Sequence, residues 1–269
     1  VEMRSNCLRQ ATAEQTSKEL QRKIAEEEVL RRDLHAALRK SEAASAAKGA
    51  FVAHMSHEIR TPLNGIQGSI KLIGRTELSN SQRSLAELAT RSCEALSAII
   101  NDVLDLSKIE AGKMDFDEEY FDVRQLVEHA IDMQQPRAIE KSLLLTSFVA
   151  PDVPRRIKAD ADRLRQVLLN LISNAVKFTN EGHVVVEVHC DEVADNSCSL
   201  FFTVQDSGIG IAKAKQNSLF EAFIQADVST TKRYGGTGLG LTICRDIVQA
   251  MGGTIGLESQ PGGGSTLWV

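Results

Sequence analysis

Apolar residues recur every three to four positions along the first part of the chain. Phe51, Met55, Ile59, Leu63, Ile66, Ile70 and Ile73 make one stripe on a helix. Leu85, Leu88, Leu96, Ile99, Val103 and Leu106 make a second, ending near Gly112. Between them the pattern breaks from Gly74 to Asn80, where Ser79 or Asn80 suits the N-cap of the second helix. Two antiparallel helices alone bury too little surface. Pairing with a second copy predicts a four-helix bundle, with one stripe from each helix inside. Upstream, residues 1–47 are rich in Glu, Arg, Lys, Gln and Ala and contain no Pro. Leu20, Ile24, Leu30, Leu34 and Leu38 there predict a charged signalling helix of coiled-coil type.

From about Met114 the periodicity changes. Short β-type runs are expected at Leu143 to Val149, His183 to Cys190, Ser199 to Gln205 and Thr254 to Glu258. Helical patterns lie between them at Val123 to Lys141, Asp162 to Thr179 and Gly240 to Met251. This alternation predicts an α/β sandwich, helices stacked on one face of a sheet. The expected organisation is a helix over 1–47, a helical hairpin over 48–112 and an α/β domain over 113–269.

The 269 residues allow about two domains. Because the chain begins with Val1 and stops just after an apparent strand begins, it reads as a piece of a longer protein. The formal net charge of -5 gives no reason to expect nucleic-acid binding. The sequence holds no apolar run of roughly 18 residues, and no signal peptide shows at its amino end. A cytoplasmic location is therefore expected, with any membrane anchorage of the parent protein lying outside this stretch. Cys7, Cys93, Cys190, Cys198 and Cys244 are scattered, and no pair has metal-ligand or redox spacing. Reduced thiols are expected.

The candidate chemistry starts at His57, in His54-Met55-Ser56-His57-Glu58-Ile59-Arg60-Thr61-Pro62. At about 100° per residue His57 lies opposite Ile59 and Ile66, so it should face solvent. Neutral imidazole is a good nucleophile, and Glu58 can take the proton from its other ring nitrogen. Thr61 follows one turn later on the same face. Pro62 cannot donate to the carbonyl of Glu58, so the helix should loosen there. His54 competes for the same role but has no acidic neighbour after it.

Three further elements suit a nucleotide. Asn170, Asn174 and Lys177 share a helix face at spacings of four and three. Amide oxygens suit Mg²⁺, and Lys177 can meet phosphate charge. Asp206 ends a strand run and leads into Ser207-Gly208-Ile209-Gly210. A carboxylate there can accept from an adenine amino group, while Gly208 and Gly210 let backbone approach the base. Gly236-Thr237-Gly238-Leu239-Gly240 opens onto a helix, where backbone N–H groups favour phosphate. Before it, Ser229 to Tyr234, with Lys232 and Arg233, has the polar, basic character of a lid over a triphosphate.

In this order and spacing, from Ala43 to the end, these elements resemble the sensor histidine kinases of two-component systems, with a histidine box most like that of hybrid or phosphorelay kinases. The run Leu219-Phe220-Glu221-Ala222-Phe223 matches that family's phenylalanine box. The resemblance implies a dimerisation and phosphotransfer hairpin followed by an ATP-binding α/β sandwich of the gyrase and histidine-kinase type. It implies that His57 is the phosphoacceptor with Glu58 as its base, and that Thr61 assists any reverse phosphatase reaction. It further implies Asn174 as the principal Mg²⁺ ligand, Asn170 and Lys177 near the phosphates, Asp206 on adenine, and Gly236 to Gly240 supporting the lid above Phe220 and Phe223. ATP and Mg²⁺ would be the cofactors. The partners would be a second copy of the chain and the receiver domain of a response regulator, in cis or in trans. Ala212-Lys213-Ala214-Lys215 departs from the acidic, Pro-containing stretch of many relatives but touches no expected catalytic position.

Overall fold

The computed structural model describes residues 54–111, 114–194, 197–216, 218–221 and 238–269, together with scattered positions between 23 and 52. Contacts divide the chain into residues 1–55 and residues 56–269. In the first unit the described residues are helical, Leu34 among them and exposed. Leu20, Ile24, Leu30 and Leu38 lie outside the described residues.

The second unit begins with helix α1 (residues 56–73), which stays helical through Pro62. It ends in a turn where Thr76 donates both its N–H and its hydroxyl to the carbonyl of Ile73. Helix α2 (Asn80–Glu110) starts from Ser79 in a capping box: Gln82 N–H donates to the Ser79 hydroxyl, and Ser79 N–H donates to the Gln82 side chain. Such a cap stabilises a helix start by about 1 kcal/mol. Leu63 on α1 packs with Cys93 and Ile100 on α2, joined by Ile70 and Leu104. The first apolar stripe therefore splits. Leu63 and Ile70 face the hairpin partner, whereas Ile59, Ile66 and Ile73 remain exposed. The second stripe splits too: Leu85, Leu88, Leu96 and Ile99 are exposed, and Val103 and Leu106 pack against the α/β core.

That core has a five-stranded sheet in the order β2 (Leu144–Val149), β4 (His183–Ala194), β5 (Ser197–Asp206), β7 (Gly264–Trp268), β6 (Gly256–Gln260). Strands β2 and β4 run parallel and the remaining neighbours antiparallel. A parallel pair needs a crossover, and α4 (Ala161–Phe178) lies on it. Helices α3 (Val123–Glu140), α4 and α6 (Gly240–Ala250) pack together on one sheet face, as expected from the sequence. Leu168, Leu171 and Ile172 of α4 are fully buried against Val184, Val186 and Val188 of β4 and Ile243 and Ile247 of α6. Each such side chain stabilises the fold by about 1.5–3 kcal/mol.

Three elements were not expected. Strands β1 (Glu119–Asp122) and β3 (Arg156–Ala159) form a separate antiparallel ribbon, and α5 (Lys213–Gln216) is a single turn. Strand β7, which the sequence suggests is cut short, is an inner strand paired on both sides.

Candidate nucleotide and phosphoacceptor site

His57 and Glu58 are both exposed on α1, as the helix geometry predicts. Thr61 is exposed one turn on, and its hydroxyl donates to the backbone carbonyl of His57 at 3.2 Å. Arg60 reaches across the hairpin to the side-chain oxygen of Asn101 at 3.1 Å. In an antiparallel pair this register sets His57 about level with Leu104, near the carboxyl end of α2.

Helix α4 is the rail of the other site. Asp160 caps it, accepting from Arg163 N–H, and a stripe of buried aliphatic residues fixes its rotation. Asn170, Asn174 and Lys177 then fall on one side. The Asn174 amide N–H donates to Asn170 Oδ1 at 3.0 Å, which turns the Asn174 oxygen away from Asn170. Both glycine loops abut this helix. Gly240 opens α6 against the Asn170 side chain, so closely that a Cβ at Gly240 would overlap the amide. At the other end of α4, the carbonyl of Phe178 accepts from Ile209 N–H, bringing the Asp206 loop beside Lys177. Burial lowers the pKa of the Lys177 ammonium, which sits 4.8 Å from the centre of the Phe178 ring.

Asp206 ends β5 and is buried. Its carboxylate accepts from Gly208 N–H at 2.8 Å. Burial raises its pKa above the usual aspartate range, against the opposing pull of the backbone donors Gly208 and Ser265. Gly210 has a φ of 64° and lies against the backbone of Gln260, so only glycine fits there. Leu239 precedes α6 and is buried, and among the described residues no side-chain hydrogen bond caps that helix end. Gly238 also has a positive φ. Lys232, Arg233, Gly236, Thr237 and Phe223 lie outside the described residues.

The structure thus brings Asn170, Asn174, Lys177, Asp206, Gly208, Gly210 and Gly240 together around one helix. Comparison with known proteins identifies two families along the chain. Residues 47–112 match the family described as the His Kinase A (phospho-acceptor) domain. Residues 159–269 match the histidine kinase-, DNA gyrase B-, and HSP90-like ATPase family. The sensor histidine kinase GacS of Pseudomonas protegens is 40% identical over 260 residues, 97% of this chain and 28% of that protein. The signal transduction histidine-protein kinase BarA of Escherichia coli K12 is 39% identical over 259 residues, 96% of this chain and 28% of that protein.

The chain belongs to the sensor histidine kinase family. It spans under a third of the length of those two kinases. Among solved structures, full-length ShkA in complex with AMPPNP matches with a TM-score of 0.67 and 36% identity, over 81% of this chain and 44% of that one. The histidine kinase AdeS of Acinetobacter baumannii matches with a TM-score of 0.54 and 25% identity, over 79% of this chain and 95% of that one.

Three features of this family member escape its motifs. Lys141, just past α3, donates to the carbonyls of Val176, Lys177 and Thr179 at 2.8, 2.8 and 3.0 Å, so an ammonium closes the carboxyl end of α4. Asp105 on α2 is buried, and its carboxylate accepts from Arg163 at 3.0 Å and from the Gln166 amide at 2.7 Å. Arg163 also donates to the Gln166 oxygen, which closes a polar triangle between α2 and the first turns of α4. The carbonyl of Phe220 accepts from the Thr242 hydroxyl and from Arg245, tying the phenylalanine box to α6. All three link segments far apart in sequence, and no spacing announces them.

Proposed function

We propose that this chain is the core of an ATP-dependent protein-histidine kinase that phosphorylates His57 and passes the phosphoryl group to a receiver-domain aspartate in a two-component pathway. The observation that carries this reading is the convergence on α4. One helix holds the Asn170–Asn174 pair, abuts both glycine loops, and is clamped by Asp105 to the part of α2 nearly level with His57.

ATP would lie with its adenine amino group on Asp206 and its phosphates toward Asn170, Lys177 and the start of α6. Gly208 and Gly210 would flank the base, and Gly236, Thr237, Gly238, Leu239 and Gly240, with Lys232 and Arg233, would close over the triphosphate. Mg²⁺ fits the donor set, because the outward amide oxygen of Asn174 is a hard neutral ligand that leaves room for phosphate oxygens and water. When bound, the ion would neutralise charge on the phosphates. An unprotonated ring nitrogen of His57 attacks the γ-phosphorus in line. The bond to the ADP oxygen breaks, and Glu58 takes the proton from the other ring nitrogen. Glu58 makes no hydrogen bond to the imidazole in this state. The carboxylate is adjacent and unobstructed, and such contacts tighten when substrate binds. Thr61 would position water for any reverse phosphatase reaction. The uncovered faces of α1 and α2 support a homodimer, its domains reading as 48–112 for the hairpin and 113–269 for ATP binding, after a signalling helix over 1–47.

The test is labelling with γ-labelled ATP and Mg²⁺. Acid-labile, alkali-stable label on the wild type and none on His57→Gln, with nucleotide affinity unchanged, is the expected result. Label that persists on His57→Gln would move the acceptor elsewhere, His54 first.

A further inference from the structure

The spacing of the cysteines along the chain shows no pair, but the fold makes one. Cys190 on β4 stands in register with Leu200 on β5, so both point to the same face of the sheet. Cys198 is two residues from Leu200, and the two-residue period of a strand returns it to that face. The ladder slips by one residue beside this point, where Glu192 rather than Asp191 opposes Ser199. Such a bulge sharpens the local twist. Cys198 is near enough to the Cys190 thiol to help push its pKa up. Both are half-buried and unbridged, whereas Cys93 and Cys244 are buried.

Cys190 and Leu200 pack against the margin of the α/β core, and past them the hairpin leaves the sheet. The ladder of β4 with β2 ends at Val188, and β5 is held on its other side as far as Phe202, which exchanges two backbone hydrogen bonds with Val269. From Leu200 towards the turn, the described pairs of β4 and β5 are with each other. The two thiols must still approach to reach the S–S bond length of about 2.05 Å. A two-stranded ribbon with a bulge can accommodate that shift, whereas the middle of a five-stranded sheet cannot.

We propose that Cys190 and Cys198 form an oxidation site, a dithiol that a hydroperoxide converts into a cross-strand disulfide. One thiolate attacks a peroxide oxygen, and the O–O bond breaks to give a sulfenic acid and, from hydrogen peroxide, water. The second sulfur displaces the hydroxyl from the sulfenic sulfur, the S–S bond forms, and a second water leaves. Two thiols lose two electrons and two protons, and one peroxide is reduced to two waters. A dithiol reductant reverses the bond by exchange. Burial, with Cys198, Asp152 and Asp191 nearby, pushes the Cys190 thiol up. Its thiolate is scarce at neutral pH, so the pair stays reduced under mild exposure and closes under a heavy oxidant load. Asp206 lies eight residues further along β5, about 27 Å away at strand rise, so the site is separate from the nucleotide site.

The experiment is hydrogen peroxide treatment of the whole folded chain, alkylation with N-ethylmaleimide, digestion without reduction, and mass spectrometry. The expected product is one linked peptide pair containing Cys190 and Cys198, about 2 Da lighter than the two reduced peptides together. Dithiothreitol should release it. Cys198→Ser should abolish it and leave a sulfenic acid on Cys190 that dimedone traps. Recovery of both cysteines alkylated, at a dose that oxidises the methionines, would overturn the proposal. So would linkage of either cysteine only to a second chain. The wild-type result decides the matter even where the serine variant folds poorly.

Discussion

Gly240 and the side chain of Asn170 share one small volume, and neither can grow without moving the other. In Gly240→Ala the new methyl group displaces the Asn170 amide while α6 remains helical. A misplaced positioning group costs about 10²-fold in rate. The expected outcome is autophosphorylation down by about that factor with the melting temperature nearly unchanged, read by labelling and by calorimetry. Asp206 gives a pH signature. Its pKa in the folded protein is raised, so its ionisation costs stability above that value, and the cost fades as pH falls through it. On the proposed adenine contact, nucleotide binding should run the other way, because a protonated carboxyl is a poor acceptor for the adenine amino group. Affinity should therefore weaken on acidification beginning above the usual aspartate range. In Asp206→Asn that dependence should vanish, and neutral-pH affinity should drop about 10–100-fold. Isothermal titration with ADP across pH checks both, and identical pH curves for the two proteins would remove Asp206 from adenine recognition. These residues were legible in the sequence because each stands in a short motif whose chemistry needs that residue type. The Asn170–Gly240 contact was not, since nothing in either motif says that the two meet.

At the scale of elements, α4 depends on Lys141. A helix end carries partial negative charge and unpaired carbonyls, and one ammonium here answers three carbonyls at that end. Lys141→Met keeps much of the side-chain volume and removes the donor. It should destabilise the fold by about 2 kcal/mol in chemical denaturation and loosen the adjoining Asp206 loop. Unchanged stability would show that water replaces the ammonium without cost. The long helices were readable to within a residue or two, since α3, α4 and α6 each repeat their buried positions at helical period between clear breaks. Strands β1 and β3 were not. Each is four residues long, and Glu119-Tyr120-Phe121-Asp122 and Arg156-Ile157-Lys158-Ala159 become strands through pairing with each other across the intervening α3 and β2. Strand β7 was underread for a related reason: Gly264-Ser265-Thr266-Leu267-Trp268 has little intrinsic strand pattern and gains its place between β5 and β6.

At the scale of the whole molecule, the hairpin exposes apolar side chains that a lone chain cannot cover. Ile66 is 51% exposed and Leu88 56% exposed, on faces otherwise patterned for burial. A charge there should block pairing of two copies. The parent chain is expected to sediment as a dimer at micromolar concentration, and Ile66→Glu as a monomer that retains nucleotide binding. A dimer that survives the substitution would place the interface elsewhere. The periodicity revealed these stripes, but not their division between intrachain contact, partner face and α/β core, because a helix pattern shows what is apolar and not what will cover it. The Asp105 triangle changes how the link between the two parts acts. Asp105, Arg163 and Gln166 fasten α2 directly to the first turns of α4. A twist reaching the hairpin from upstream would then be delivered to the nucleotide rail as torque, without passing through the chain that connects α2 to β1.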